Sequence, residues 1–310
     1  MIVALAGGVG GAKLAHGLAL AGGGADLAVV VNTGDDFELF GLRISPDLDT
    51  VLYTLAGLAN PDTGWGLAGD TFAALDMLAR YGGETWFQLG DRDLATHILR
   101  TQRLAAGWSL TRVTAALAGT LSVAARILPM CDEPVATLVE TPEGTLAFQD
   151  YFVRRHHADP VRAVHFSGIE TARVPDAVRA ALAQAEVIVL CPSNPIVSIG
   201  PILAVPGMRD LVRVTRAPRV AVSPIVGGKA LRGPADRMLE GLGEEVSALG
   251  VARRYRDLVQ GMVLDHEDAA LAPAIEALGM RALVTGAIMR DEADRQRLAG
   301  EVLAFARGLT

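Results

Sequence analysis

Cysteine is scarce in this sequence of 310 residues, where Cys131 and Cys191 are the only two. They lie too far apart for the close cysteine spacing of a thiolate zinc site, and two positions cannot build a disulfide scaffold. Neither has an evident activating neighbour in the sequence, so we expect both to pack in the core rather than act as nucleophiles. A reducing, cytoplasmic compartment is therefore predicted.

Long apolar runs are also missing. The most apolar stretches, such as residues 185–191, have the length of a strand, and Glu186 interrupts that one. A membrane-spanning helix needs about 18 to 20 consecutive apolar residues, so no membrane span is predicted. The sequence starts directly on the apolar segment Ile2–Ala6 with no basic region before it, which does not match a signal peptide.

Basic residues are not in excess, because 28 Lys and Arg stand against 35 Asp and Glu, for a formal charge of −7. A protein that binds nucleic acid mainly through phosphate contacts is therefore not expected. Apolar residues make up 51% of the chain and charged residues 20%. This composition excludes a disordered chain and is sufficient for one large core or two lobes.

The N-terminal segment predicts a βαβ unit. A strand at Ile2–Ala6 is followed by a helix over residues 13–21, a glycine stop at 22–24 and a second strand at 28–31. Such a unit implies parallel strands. Alternation resumes after residue 160, with helices between further strands at 161–166, 187–190, 219–222, 262–264 and 281–285. The predicted fold class is α/β, a Rossmann-like and mostly parallel sheet with helices on both faces.

Residues 45–120 have a different character, with helical periodicity at 49–59, 71–80, 91–104 and 109–118 and Ser109 as a plausible N-cap. We interpret them as a helical lobe inserted into an α/β core made of residues 1–44 and 121–310. Residues 135–140 and 145–149 flank Pro142-Glu143-Gly144, which predicts a β-hairpin. No linker separates the parts, so a single two-lobed domain over residues 1–310 is expected.

Open parallel sheets bind ligands beyond the carboxyl ends of their strands. Four predicted strands end in loops rich in Gly, Ser, Asn, Asp and Lys, namely residues 7–13, 32–36, 192–200 and 223–229. Their convergence on one edge predicts a ligand site there.

The first of these loops fits no standard nucleotide motif. A P-loop requires Gly before the lysine and Ser or Thr after it, whereas Lys13 stands between Ala12 and Leu14; the dinucleotide fingerprint fails as well. Small residues at Gly10 and Gly11 would still let backbone N–H groups approach a phosphate at a helix N-terminus. A tight turn without a ligand, and a solvated Lys13, remain the alternatives.

Acidic residues cluster near the same edge. Asp35 follows a buried strand and Asp49 lies at the start of a helix, and carboxylates beside phosphates are typical Mg²⁺ ligands. We therefore predict a metal or ligand role for Asp35 and Asp49. For Asp47 a first-turn helix charge is the preferred interpretation.

Residues 90–97 open a predicted helix, with Asp91 as its cap and Asp93 and His97 as a local i, i+4 pair that lacks a third metal ligand. Arg92 is a candidate phosphate partner, because its planar guanidinium can donate two hydrogen bonds.

Aromatic residues of the helical lobe are expected to lie mostly in the core, although one or two of them would be able to form a wall against a planar ring: Trp65, Phe72, Trp86, Phe87 and Trp108. From the residues alone, the prediction is a protein that binds a phosphate-rich ligand with Mg²⁺ and catalyses phosphoryl transfer.

Six ordered motifs then resemble the 2-phospho-L-lactate transferase family of deazaflavin coenzyme F-420 biosynthesis. They are Gly7-Gly8-Val9-Gly10-Gly11-Ala12-Lys13, Val31-Asn32-Thr33-Gly34-Asp35-Asp36, Ser45-Pro46-Asp47-Leu48-Asp49-Thr50, Gly90-Asp91-Arg92-Asp93-Leu94-Ala95-Thr96-His97, Pro192-Ser193-Asn194-Pro195 and Ser223-Pro224-Ile225. Ile127-Leu128-Pro129 and Phe148-Gln149-Asp150 fit as well. The resemblance spans nearly the whole chain.

The resemblance implies a Mg²⁺-dependent phosphotransferase for substituted phosphate groups. A guanosine diphosphate ester of a three-carbon acid, such as 2-phospho-L-lactate or phosphoenolpyruvate, would give its acid-bearing phosphate to the terminal ribityl hydroxyl of the deazaflavin Fo, and GMP would leave. Such an enzyme must align hydroxyl and phosphate and neutralise charge.

The resemblance also implies residue roles. Asp35 and Asp49 would be catalytic and hold the metal, Asp49 and Arg92 would lie close to Fo, and the remaining substrate contacts would come from Gly10, Gly11, Lys13, Ser193 and Asn194. Substitution of Asp49 by Asn is expected to leave folding intact and to lower turnover by about 10²–10³-fold. A homodimer is expected.

Two other functions compete with the transferase. A non-catalytic regulatory protein of similar fold, binding a sugar nucleotide or dinucleotide, would share the glycine-rich start; residues 90–93 and the long helical insertion favour the transferase. An NAD-dependent dehydrogenase is disfavoured by the broken fingerprint and by Asn32, which stands where a ribose-binding acid is expected.

Overall fold

The computed structural model describes residues 1–22 and 24–309. The first part of the chain contains β1 (Ile2–Ala6), α1 (Gly8–Gly22), β2 (Leu27–Val31), the short strands β3 (Phe37–Leu39) and β4 (Leu42–Ile44), and the helices α2 (Pro46–Leu55), α3 (Ala73–Arg80), α4 (Asp93–Ala105) and α5 (Leu110–Thr120). Helix α1 ends at the first glycine of the predicted stop; Gly23 lies outside the described residues.

The middle of the chain contains β5 (Arg126–Pro129), β6 (Ala136–Thr141), β7 (Gly144–Ala147), a π-helical turn (Asp150–Arg154), β8 (Ala163–Ser167), a 3₁₀ turn (Ile169–Thr171), α6 (Asp176–Ala183), β9 (Val187–Leu190), α7 (Ile199–Ala204) and α8 (Met208–Val214). The rest contains β10 (Arg219–Val222), the short pair β11 (Ile225–Val226) and β12 (Lys229–Ala230), α9 (Ala235–Gly241), α10 (Ala248–Tyr255), β13 (Gly261–Leu264), a 3₁₀ helix (His266–Leu271), α11 (Ala272–Glu276), β14 (Arg281–Val284) and α12 (Glu292–Arg307).

Seven strands form the central sheet in the order β14-β13-β10-β9-β1-β2-β5. Every neighbouring pair is parallel; Ile2 of β1, for example, lies opposite Leu27 on one side and Val187 on the other. The strand order reverses between β1 and β9, and such a switch point opens a crevice at the carboxyl ends of the strands. The predicted Rossmann-like α/β class is confirmed.

Helices cover both faces of this sheet, because successive strand residues point to opposite sides. Val3 and Leu5 of β1 belong to one buried cluster, together with residues of α6 to α10. Ala4 and Ala6 belong to the other, with residues of α1, α2, α5 and α12. The sheet is therefore the middle of three layers.

All four helices predicted for the lobe over residues 45–120 are present. Ser109 caps α5 as expected, because its Oγ accepts a hydrogen bond from Arg112 N at 3.2 Å. However, α2 and α5 bury Val51 and Val113 in the same cluster as α1, so these two helices pack as part of the main core. The lobe boundaries stay a prediction.

One strand assignment needs correction. The strand expected at 161–166 is β8, which does not join the parallel sheet but pairs antiparallel with β6. Strands β6 and β7 form the predicted hairpin, and the three make a small separate sheet. The exposure of β8 agrees with this position, since none of its residues is fully buried, whereas β2 and β9 are buried throughout.

Within the described residues, no helix has the length and apolarity needed to cross a membrane.

Candidate active site

A cavity of about 830 Å³ opens at the carboxyl edge of the sheet, over the switch point between β1 and β9. It is lined by the segments that follow β1, β2, β9 and β10, by α2, by residues 148–153 and by residues 287–290. Three positions of the predicted glycine loop (Gly7, Gly8 and Gly10) line it, as do Asp35, Ser193 and Ser223. The structure therefore brings the four predicted loops together.

The glycine loop is pressed against the loop after β9. A Cβ on Gly10 would lie 2.3 Å from Pro192 O, so only glycine fits at that close approach. Gly8 has a φ of +62°, which favours glycine for conformational reasons. Gly11 is buried beneath Ser193 and does not line the cavity, whereas Gly10 does. Packing requires a small residue at both positions, and the predicted contact of Gly10 and Gly11 with the substrate stays a prediction.

Ser193 and Asn194 hold the β9 loop in place. Ser193 Oγ accepts a hydrogen bond from Gly7 N at 3.0 Å, which joins the β9 loop to the β1 loop. Asn194 Oδ1 accepts from Ile196 N at 2.9 Å and so shapes the turn. Both residues line the cavity; their predicted contact with a nucleotide stays a prediction.

Asp47 reaches across the cavity floor from the first turn of α2. Its Oδ1 accepts from Gly8 N at 2.8 Å and its Oδ2 from Asn32 Nδ2 at 2.9 Å. The carboxylate therefore lies at the N-terminus of α1, where negative charge is stabilised. The sequence placed Asp47 correctly in the first turn but did not reveal that its side chain would connect α2 to the two loops after β1 and β2.

Three carboxyls in this region have pKa values above the ordinary range. Burial, followed by the nearby charge of Asp47, raises the pKa of Asp35 well above its ordinary value. Burial raises the pKa of Asp36 as well, against a hydrogen bond from Ser45 Oγ, and raises the pKa of Asp47 to about 6. A group of carboxyls without enough cations to balance it favours either protons or a metal ion.

Asp49 is paired with a buried arginine. Arg100, only 2% exposed, donates from Nη1 to Asp49 Oδ2 at 3.0 Å and from Nη2 to Asp49 Oδ1. This two-point contact fixes the direction of the Asp49 carboxylate at the cavity wall. Arg100 was not identified from the sequence, because an arginine within a helix is usually solvated.

His97 lies between Asp49 and Asp93. Its Nδ1 is 3.6 Å from Asp49 Oδ2 and its Nε2 is 3.2 Å from Asp93 Oδ2. Although burial raises the pKa of Asp93, the hydrogen bond and charge of His97 lower it below the ordinary value. Asp93 also accepts a hydrogen bond from the hydroxyl of Tyr53 at 2.6 Å. The sequence predicted the Asp93–His97 pair.

Asp49 supplies the third ligand that the sequence could not locate, because ligand atoms of Asp49, Asp93 and His97 all lie within 4.8 Å of one another. The Arg100 guanidinium lies 3.2 Å from His97 Nδ1 and contacts Asp49, so a positive charge already compensates this group. An ion-pair network accounts for the arrangement better than a metal centre does.

The two predicted cationic residues, Lys13 and Arg92, differ in whether they reach the cavity. Lys13 lines the cavity, and its Nζ donates to Met289 O at 2.9 Å. Arg92 is exposed and its guanidinium contacts Ala68 O at 3.4 Å; it does not line the cavity, and its predicted role near Fo stays a prediction.

The predicted cap at Asp91 is reassigned. Its carboxylate accepts from Ala73 N and Ala74 N, so it caps α3, a helix that precedes it in sequence. Asp70 instead accepts from Arg92 N and Asp93 N and caps α4. The two aspartates exchange helices because the segments that precede α3 and α4 lie side by side, with Asp91 N donating to Thr71 O, and no local pattern encodes this contact.

The aromatic residues of the lobe are not core, contrary to expectation. Trp65 and Phe72 are exposed, and the other three are half-buried. Trp65 and Phe87 line the cavity, and Phe37 and Trp86 pack against Phe87 with ring centroids 4.8 and 5.6 Å away. Trp65 and Phe87 therefore fit the alternative interpretation, in which one or two of these aromatic residues form a wall of the ligand site.

A second aromatic wall comes from the segment that follows β7, where Phe148 and Phe152 line the cavity as well. Their rings stack with centroids 5.5 Å apart and planes 7° from parallel.

The two cysteine thiols are buried and unpaired, as predicted. Burial raises the pKa of Cys131 to about 12 and raises that of Cys191 further. Neither thiol is therefore activated as a nucleophile.

The sequence profile of the family described as "2-phospho-L-lactate transferase CofD" matches residues 2–280. The chain belongs to this family. The CofD relatives include a phosphoenolpyruvate transferase from Kitasatospora aureofaciens, 45% identical over 312 residues that cover 98% of this chain and 97% of that one. A 2-phospho-L-lactate transferase from Methanosarcina acetivorans is 41% identical over 304 residues, with 98% of each chain covered. The predicted family is confirmed.

Among solved structures, a UPF0052 family protein from Bacillus halodurans shares the fold with a TM-score of 0.64. It is 14% identical to this chain, and the match covers 97% of this chain and 98% of that one. At that identity the similarity concerns the fold alone.

Several residues that line the cavity of this CofD family member, or hold its lining side chains, were not identified from the sequence: Asn32, Tyr53, Arg100 and Arg232. Asn32 had a usable signal, since an amide directly after a buried strand at the ligand edge must find partners. The others become visible only when distant segments are brought together.

Proposed function

We propose that this protein is a transferase of coenzyme F-420 biosynthesis. It would move a phospho-three-carbon-acid group, 2-phospho-L-lactate or phosphoenolpyruvate, from the guanosine diphosphate ester to the terminal ribityl hydroxyl of Fo. The relatives at 41–45% identity that are named as such transferases carry this proposal. The regulatory alternative is not favoured. The solved Bacillus halodurans structure is similar to this chain in fold only, whereas the named transferases are similar in sequence.

The cavity supports the proposal through its size and through its lining, which has an aromatic part and a polar part. About 830 Å³ is at the upper end of ordinary ligand pockets, which suits a site that receives two substrates. Aromatic side chains at Trp65, Phe87 and Phe148 suit a flat tricyclic ring. Polar groups on the loops after β1 and β9 suit a nucleotide phosphate chain.

A Mg²⁺ ion is part of the proposal. Asp35 Oδ1 is buried and has no hydrogen-bond partner among the described residues, and hard oxygen donors of this kind fit Mg²⁺. Asp35 would hold the ion through this oxygen, and Asp49 would share its carboxylate between the ion and Arg100. When bound, Mg²⁺ would neutralise charge on the phosphates.

The chain's own residues would do the rest. Asp49, held by Arg100 at the cavity wall, would orient the hydroxyl of Fo toward the phosphorus. Lys13 would balance charge on the phosphates, with the backbone of the β1 loop beside it. The aromatic walls would exclude water from the reacting hydroxyl.

The proposal includes a cytoplasmic location and a homodimer. The two unpaired thiols are consistent with a reducing compartment. The homodimer is expected from the resemblance, and light scattering after gel filtration would report it as twice the monomer mass.

The direct test is a transfer assay read by mass spectrometry. Purified protein, Fo and Mg²⁺ are incubated separately with guanylated 2-phospho-L-lactate, phosphoenolpyruvate or 3-phosphoglycerate. We expect a phosphodiester of Fo and an equal amount of GMP with one of the three. If no donor gives a product while UDP-sugars alone raise the melting temperature, the regulatory alternative replaces the proposal.

A further inference from the structure

Three cationic side chains line the cavity without an acidic partner: Lys13, Arg232 and Arg290. Within residues 1–22 and 24–309, none of them forms a salt bridge. The acids of the cavity follow β2 or belong to α2 and α4. Lys13 instead contacts the segment after β14, and Arg232 follows β12 and contacts residues 62–63. The cavity therefore contains cations that its own acids do not neutralise.

Arg232 makes only backbone contacts. Its Nη2 donates to Asp62 O at 3.4 Å and its Nη1 donates to Thr63 O. It is exposed, so these contacts leave it free to exchange partners. A carbonyl oxygen carries only a partial charge, and an anionic oxygen is a stronger partner for a guanidinium.

The guanidinium of Arg232 lies close to the glycine loop. A Cβ on Gly64 would be 3.6 Å from Arg232 Nη1 and 2.6 Å from Val9 Cγ1, so Gly64 is packed between the two. Burial, and then the charges of Arg295 and Arg232, lower the pKa of Lys13. Two cations that repel one another across a cavity are stabilised when an anion lies between them.

We propose that Arg232, with Lys13 opposite it, binds the anionic end of the guanylated substrate. The shared chemistry is a negatively charged oxygen, which belongs either to the nucleotide phosphates or to the carboxylate of the three-carbon acid. This inference rests on the proposed function and adds Arg232 as a binding residue of the site. Because Arg232 also contacts residues 62–63, substrate binding would be coupled to the loop that carries Trp65.

The test is equilibrium binding to the full-length protein, by calorimetry, with GDP, the guanylated acid and Fo as separate ligands. Arg232→Gln removes the charge, Arg232→Lys keeps it, and Arg237→Gln is the matched control. Arg237 is also exposed and donates to a backbone carbonyl, that of His157, but does not line the cavity.

We expect Arg232→Gln to raise the dissociation constant of the guanylated acid about 10- to 100-fold, the usual effect of losing a hydrogen bond to a charged group. Arg232→Lys should recover most of that loss, while Fo binding and the Arg237→Gln variant stay within twofold of wild type. If GDP is weakened equally, Arg232 contacts the nucleotide phosphates; if only the guanylated acid is weakened, it contacts the carboxylate.

Two results would overturn the inference. One is unchanged binding of GDP and the guanylated acid by Arg232→Gln. The other is an equal loss in the Gln and Lys variants that extends to Fo, which would mean that Arg232 only holds the loop. The binding measurement needs no turnover, so the proposed transferase function and the proposed binding role of Arg232 fail separately. If wild-type protein binds neither GDP nor the guanylated acid, both proposals are overturned. If binding is unaffected in Arg232→Gln, only the role of Arg232 is overturned.

Discussion

A buried arginine is stable only where its charge is matched, and Arg100 is matched mainly by Asp49. Asp49 therefore has two functions in this structure. It presents a carboxylate to the cavity, and it keeps a guanidinium that is 2% exposed from being an uncompensated charge. The sequence suggested only the first function, and the second changes what a substitution should do.

Asp49→Asn is expected to lower turnover by about 10²–10³-fold and also to destabilise the fold by about 3 kcal/mol, because Arg100 loses its partner. This revises the expectation that folding would be intact. The measurements are turnover by product mass and the free energy of unfolding in urea.

The double variant Asp49→Asn with Arg100→Met separates the two effects. It should regain most of the stability, since replacing both charges is much less costly than removing one, while turnover stays low. A single Asp49→Asn variant within 1 kcal/mol of wild type would contradict the structural function.

Helices and loops decide the shape of the cavity through contacts between distant segments. The aromatic wall is an example, because Trp65 and Phe87 come from loops before and after α3, and Phe148 and Phe152 come from the segment after β7. These elements lie far apart along the chain. They meet because α2 packs on the main sheet and the small sheet lies beside its ligand edge.

Substitution of Phe87 by Leu is expected to weaken Fo binding about tenfold, because an aromatic contact with the ring is lost while an apolar side chain is kept. Trp108→Leu is the control, since Trp108 stacks on Arg112 at 3.7 Å and does not line the cavity. Fluorescence titration with Fo measures both. Unchanged binding in Phe87→Leu, or equal weakening in the two variants, would contradict a specific contact between Phe87 and Fo.

The protein as a unit should respond to pH through its buried carboxyls. A group whose pKa is raised in the folded state binds protons more tightly there than in the unfolded chain. Its contribution to stability is then complete below its unfolded pKa and is lost as the pH rises through its folded pKa. For Asp47 this window runs from about pH 4 to about pH 6.

We expect the free energy of unfolding of wild-type protein, relative to Asp47→Asn, to fall by at most about 3 kcal/mol between pH 4 and 6.5. The absolute cost of the substitution does not matter, since only its pH dependence is compared. Urea unfolding at four pH values measures it. A difference between the two proteins that is constant with pH would show that Asp47 is not buried as described.

Much of this protein was predictable from local patterns. The βαβ start, the parallel sheet, the four lobe helices, the hairpin and the convergence of four loops follow from hydrophobic periodicity and turn residues, and the ordered motifs identified the family. These features depend on neighbours in sequence, where periodicity and cap chemistry act directly.

Tertiary structure alone decided the rest. It placed β8 in a separate sheet, exchanged the helices that Asp70 and Asp91 cap, paired Arg100 with Asp49, and brought Arg232 beside the glycine loop. In each case the deciding contact joins residues that lie 17 or more positions apart. A side chain's sequence neighbours can predict its helix or strand, but its partner and its charge state are set by what packs against it once the chain is folded.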